Sequence, residues 1–319
     1  MRDCLRLFGM GLGLAGMFAG SAAGQPAEVP AEQVLEQASP VGIEALGHVE
    51  TTGNGPVPVI LIPGSACDWT VFREFMVAHR NQYTMHAVTL AGYGGTAAPE
   101  GDFGQWTDVA WLNHAAQGVA ALVDLATDEG GPRAIIVGHS LGVHLAFRAS
   151  CDRPEKVAGV VAIDGYHTAP AAGKVSAPPA RRFVFARGVE NTYKRMSDER
   201  ETEFRRERAM GLATDPDDGE RIAEMASVVS RDVRERYILE FMYADLAECA
   251  ASVSVPVKVL VALDPERDDA DHAQKLELFG MVYESVPGVE LIEVEGRHFL
   301  QDDAPGAISE AVAELASET

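Results

Sequence analysis

The segment Gly138-His139-Ser140-Leu141-Gly142 narrows the folds open to this chain more than any other. An apolar run, Ala134-Ile135-Ile136-Val137, leads into it, and a helical-looking stretch over residues 143–150 leads away. That pattern reads as a buried strand, a sharp turn and a helix. Glycines flank the serine because such a turn is strained and neighbouring segments come very close to its backbone. The turn lifts the Ser140 hydroxyl out of the sheet and sets it at the N-terminus of a helix. G-x-S-x-G alone arises often by chance. Between a strand and a helix it marks an exposed nucleophile.

The rest of the chain repeats the same alternation. Strands are predicted at Val57–Ile62, residues 85–90, Val157–Ile163, Val257–Leu263 and residues 289–294. Helices are predicted over residues 68–79, 106–126, 271–285 and 305–317, the second with Trp111, Ala115, Val119 and Leu122 at helical spacing. Strands alternating with helices predict an α/β fold, a mostly parallel sheet with helices on both faces. Ligands then bind beyond the C-terminal ends of the strands, where Ser140 sits.

One stretch breaks the alternation. Residues 166–251 contain no strand pattern, but helical patterns over 187–212, 220–229 and 232–250. They predict a helical cap inserted between the core segments 41–165 and 252–319. Within it Met196, Phe204, Met210, Met225, Tyr237, Phe241 and Met242 either line an acyl pocket or pack the cap onto the core.

The N-terminal residues read differently again. Arg2 and Arg6, an apolar Gly-rich run over residues 7–19, and Ser21-Ala22-Ala23-Gly24 predict a signal peptide over residues 1–24. The run is too short and glycine-rich for a transmembrane helix, and no cysteine follows it to carry a lipid. Residues 25–40, rich in Pro, Ala and Glu, read as a linker. The expected location is periplasmic or secreted, without stable membrane insertion after cleavage. The net charge of −22, near −23 without residues 1–24, makes nucleic acid and anionic lipid poor partners. Of four cysteines, Cys67, Cys151 and Cys249 remain after cleavage. At most one pair can bridge, and buried, inert thiols are the default expectation. No Cys/His spacing points to a metal, and the expected chemistry uses no cofactor.

A serine hydroxyl needs a base to take its proton, normally a histidine oriented by a carboxylate. Nine histidines compete. His298, in Glu295-Gly296-Arg297-His298-Phe299, directly follows the last predicted strand and lies at the same end of the sheet as Ser140. His139 lies inside the turn and His144 on the helix after it. His167 follows a strand and ranks a distant second.

With these residues in place, the chain from Val57 onward resembles the α/β-hydrolase fold, serine esterase/lipase branch. The resemblance implies Ser140 as nucleophile and His298 as base, the latter in a Gly-x-x-His-Phe loop that is matched in part. It implies an oxyanion hole made by the N–H groups of Leu141 and Ser65. Pro63-Gly64 stands where the family usually has His-Gly. After residue 90, Ala91-Gly92-Tyr93-Gly94-Gly95-Thr96 keeps the family's glycines and lacks its aspartate. The family's acid follows the strand Val257–Leu263 in a Gly-x-x-Asp turn, matched here by Pro265-Glu266-Arg267-Asp268. Asp268 is therefore the first choice, Asp264 the next, and Asp164 a third, since some members take the acid from the strand before the cap. The expected activity is hydrolysis of a small-molecule carboxylic ester through an acyl-enzyme. An acyltransferase, thioesterase, lactonase or amidase would use the same residues, and a non-catalytic ligand-binding member is the remaining alternative.

Overall fold

Unbroken runs of Val, Ile and Leu can be satisfied only by strands covered on both faces. The structure, a computed structural model, describes residues 42–127, 131–171 and 177–318. The expected signal peptide (1–24) and linker (25–40) lie outside the described residues. The strands are β1 (Leu46–Thr52), β2 (Val57–Ile62), β3 (Tyr83–Leu90), β4 (Ala134–His139), β5 (Val157–Ile163), β6 (Val257–Leu263) and β7 (Val289–Glu295). They form a seven-stranded sheet in the order β1-β3-β2-β4-β5-β6-β7. All pairings are parallel except that of β1 with β3. Central β4 and β5 are buried at every position, whereas the edge strands β1 and β7 carry polar side chains and are partly exposed. Charged side chains on β1 and β7 discourage pairing with another chain. β1, which carries Gly, His and Glu in place of an apolar run, is the one strand with no clear sequence signal.

Alternation along the strands builds two layers. Ile60, Ile62 and Ile136 face one side, with Leu112 of α2 (Ala110–Ala126) and Val143 of α3 (Leu141–Asp152). Val59, Leu61 and Ile135 face the other, with Phe75 of α1 (Arg73–His79) and Val312 of the C-terminal helix Pro305–Ser317. The expected helix over 68–79 begins with a 3-10 turn, Trp69–Phe72, because Asp68 accepts the Thr70 N–H at 2.9 Å.

Between β5 and β6, among the described residues, lie five helices: α4 (Pro179–Tyr193), α5 (Asp198–Met210), α6 (Pro216–Ser227), α7 (Arg231–Tyr243) and α8 (Ala247–Ser252). The single helix expected over 187–212 is two. Ser197 adopts extended backbone and its hydroxyl accepts the Arg200 N–H at 3.3 Å, so it starts a new helix. Tyr237 seals α7 to the core: its ring lies against Tyr93 and Trp111, and its hydroxyl donates to Ala91 O at 3.2 Å. Phe241, Met242 and Met225 are also buried as packing residues. Buried Glu240 accepts the Leu112 N–H at 2.8 Å, in the first turn of α2, where the N-cap Val109 offers no side-chain bond. A helix of the cap thus caps a helix of the core.

Cys151, at the end of α3, is joined by a disulfide to Cys249 of α8. This corrects the default of inert thiols for that pair: the fold returns α8 to the end of the helix that follows Ser140. Cys67 stays a buried thiol, pushed up to about 12 chiefly by burial. The bridge spans 98 residues and closes a loop containing β5 and helices α4 to α7. Replacing both cysteines by alanine should lower stability by about 2–5 kcal/mol. Chemical unfolding followed by fluorescence measures this, and an unchanged midpoint would show that the bridge contributes nothing.

Candidate active site

Parallel strands end at one edge of the sheet, so loops remote in sequence meet there. Ser140 follows β4, at the middle of the sheet. Its backbone has φ 54° and ψ −117°, a strained conformation for any residue but glycine. The turn is held from the side by the Ser140 N–H, which donates to Ile163 O of β5 at 2.9 Å. Gly142 is required by proximity: a Cβ there would lie 2.3 Å from Ile62 O. Helix α3 starts at the next residue after Ser140, so the serine stands at the N-terminus of a helix.

The loop after β2 lies directly on this turn. A Cβ on Gly64 would sit 3.0 Å from both Ser140 Cβ and His139 Nδ1. Gly64 O accepts the Cys67 N–H at 3.2 Å, closing a tight turn with Ala66 at φ 59°. Within that turn the Ser65 hydroxyl pairs with the Tyr93 hydroxyl at 3.4 Å. Neither the Ser65 N–H nor the Leu141 N–H is taken by a main-chain carbonyl among the described residues. The structure therefore brings both expected oxyanion donors to the Ser140 turn with their N–H groups unengaged.

His298 follows β7 and lies against the same turn. The His139 Nε2–H donates to the carbonyl of His298 at 3.0 Å, and the two rings are 4.7 Å apart. The residue before the serine thus holds the loop that carries the histidine. Burial lowers the His139 pKa to about 3 and keeps the ring neutral. The Phe299 N–H donates to Leu212 O of the cap at 2.9 Å, which fixes the far side of the loop.

The carboxylate at His298 is Asp164. His298 Nδ1 donates to Asp164 Oδ2 at 2.7 Å. Asp164 directly follows β5, is buried, and takes a positive φ of 39°. Its other oxygen accepts the Ala262 N–H at 3.1 Å and pairs with Lys275 Nζ at 2.7 Å. Burial on its own would raise its pKa. The Lys275 ammonium and the bond to His298 outweigh burial and hold the carboxyl well below the usual carboxylate range.

The first choice, Asp268, is corrected. It is exposed and accepts the N–H groups of Ala270 and Asp271 at 3.1 and 2.9 Å, as N-cap of α9 (Asp269–Tyr283). Asp264 is engaged elsewhere too, with the Glu266 N–H at 3.0 Å and Arg297 Nε at 3.2 Å. A signal for the capping role was present: acidic Asp269 and Asp271 follow Asp268, the composition of a helix first turn. His167 is buried against Val282 O, to which its Nε2–H donates at 2.7 Å, and packs in place of lining a pocket. Lys275 carried no sequence signal at all. Among the described residues no group of His, Cys, Asp or Glu is arranged to hold a metal ion.

A serine on a strained strand-to-helix turn, unengaged N–H groups beside it and a histidine on a carboxylate meet at one edge of an α/β sheet. The comparisons agree at the level of family and fold. The chain belongs to the alpha/beta hydrolase family, whose model matches residues 59–311. No curated protein matches it. Among solved structures it is similar to a hydrolase from Oleispira antarctica (TM-score 0.65, 16% identity, covering 87% of this chain and 97% of that one). It is also similar to an esterase from Rhodococcus sp. ECU1013 (0.61, 20%, 85% and 94%). A third is the enol-lactonase from Burkholderia xenovorans LB400 (0.57, 19%, 85% and 96%).

Three buried histidines surround this region, and each is neutral. Burial lowers His139 to about 3 and His144 and His167 to about 4. The unfolded chain protonates these rings near pH 6.5 and the folded one only below them, so their contribution is complete above pH 6.5. It is lost as pH falls from 6.5 towards 4. Calorimetry should show the Tm decreasing through that window. A Tm that stays level from pH 7 to 4.5 would contradict neutral burial.

Proposed function

We propose that the protein is a serine hydrolase that cleaves carboxylic esters through an acyl-enzyme. The observation that carries this reading is the 2.7 Å bond between His298 and Asp164, made beside the strained Ser140 turn. Ser140 attacks the ester carbonyl while His298 accepts its proton through Nε2. Asp164 orients His298 through Nδ1–H and stabilises the charged ring that results. The Leu141 and Ser65 N–H groups receive the charge that develops on the carbonyl oxygen, each contributing a factor of about 10²–10³. His298 then protonates the leaving alcohol, and water, deprotonated by the same ring, releases the acid. The chemistry extends to lactones, which are cyclic esters, and the likeness to the Burkholderia enol-lactonase favours that second substrate form. A periplasmic or secreted location is part of the proposal: the Cys151–Cys249 bridge suits an oxidising compartment, as the signal-like residues 1–24 do.

Hydrolysis of p-nitrophenyl butyrate tests the assignments one by one. Ser140→Ala should lower kcat/KM by about 10⁴-fold or more, and Asp164→Asn by about 10²–10⁴-fold. Asp268→Asn, which keeps a helix-capping side chain, should stay within about 3-fold of the native enzyme. Retained activity in Ser140→Ala would sink the serine mechanism. A silent Asp164→Asn beside an impaired Asp268→Asn would return the acid to the loop after β6.

A further inference from the structure

Asp164 has two carboxylate oxygens, and His298 uses one. The other is held by a group that general serine-hydrolase chemistry does not require. Lys275 Nζ lies 2.7 Å from Asp164 Oδ1 and donates to Ala262 O at 2.6 Å. Its ammonium stands over the Phe279 ring, one turn further along α9, at 5.7 Å from the centroid. The lysine side chain is only 23% exposed, and that of Asp164 6%. The helix that carries Lys275 starts at its N-cap Asp268. The aspartate expected to act as the acid therefore begins the helix that brings a cation to the real carboxylate partner of His298.

We propose that Lys275 is a positioning residue for the reaction: it holds Asp164 Oδ1 so that Oδ2 alone faces His298, and its charge offsets the carboxylate charge that the His298 ring experiences. The proposal rests on the reading of Asp164 as the acid of the site. Two consequences follow physically. First, a carboxylate with one oxygen fixed by an ammonium and a main-chain N–H cannot rotate away from the imidazole. Second, a bare buried carboxylate would favour the imidazolium strongly, and a histidine that is already protonated cannot accept the serine proton. A lysine on the far oxygen keeps the orienting bond while limiting that bias. Other titratable groups around the pair are disposed to leave this balance to Lys275. His139 is buried and neutral. The Tyr283 hydroxyl donates to Gly165 O at 2.7 Å, and its pKa is raised well above the ordinary value by burial. Asp264 and Glu266, beyond the end of β6, pair with Arg297.

The test is the pH dependence of kcat/KM for Lys275→Gln, Lys275→Met and Lys275→Arg with p-nitrophenyl butyrate. Loss of the charge should move the acidic limb up by about 1 pH unit, because protonated His298 gains relative stability. Activity at a pH on that limb then falls about 10-fold, with KM within about 2-fold. Lys275→Arg, which keeps the charge, should leave the limb near its native position. In a Ser140→Ala background the low-field NMR resonance of the His298 Nδ1 proton should titrate with the same upward displacement in Lys275→Gln, a readout independent of turnover. Lys275→Gln keeps a donor for Asp164 and serves where Lys275→Met fails to fold. A folded Lys275→Gln with an unmoved limb and an unmoved resonance would overturn the proposal. Asp164→Asn that retains activity would instead overturn the assignment of the acid, so the two failures are distinguishable.

Discussion

The turn at Ser140 is the constraint on which the rest of the site depends. A non-glycine residue with φ 54° costs on the order of 1–3 kcal/mol and persists only where its surroundings over-determine it. Here they do so from three sides. β5 takes the Ser140 N–H, the end of β2 lies too near Gly142 to admit a Cβ, and the Gly64 turn covers the His139 side. The same contacts place the Ser65 loop against the turn, and the His298 loop is held there because His139 is hydrogen-bonded to the His298 carbonyl. Strain at one residue is thereby tied to the alignment of three loops.

A second theme is how charge is handled at low dielectric. The buried carboxylate of Asp164 is held by the N–H of Ala262, the ring of His298 and the ammonium of Lys275. Glu240, equally buried, is matched by Arg236 and by the N-terminus of α2. In both cases a carboxylate removed from water is retained with a full set of partners, which is what burial of a charge demands. The first set fixes the His298 ring beside the Ser140 turn. The second fastens the cap to the core. The cap is further fastened by Tyr237 and by the Cys151–Cys249 bridge, so the insertion is built as part of the hydrolase body.

Much of this was legible in the chain. The central strands β2, β4, β5 and β6 could be read because a strand covered on both faces leaves a largely apolar run. The helix over Pro305–Ser317 matched its expected bounds, with proline at its start. Less was legible where polar residues do structural work. β1 has no apolar run because it is an edge strand, and Ser197 divides what looked like one helix through a hydroxyl cap. Asp268 and Asp164 show the same difficulty at the site. Both are aspartates following a strand, and spacing favoured the one that proved to cap a helix.

By itself, then, the sequence determined an α/β sheet, a serine on a strand-to-helix turn at its centre and a histidine after the last strand. Each of these is written in a short local pattern: an apolar period, a pair of glycines, a position relative to a strand. The tertiary structure alone decided which carboxylate meets His298, which cysteines join and which cation stands behind that carboxylate. Asp164 and His298 are 134 residues apart, and Cys151 and Cys249 are 98 apart. Such pairs are selected by the order of the strands in the sheet and the return path of the cap, and no local pattern of residues encodes a distance across the fold.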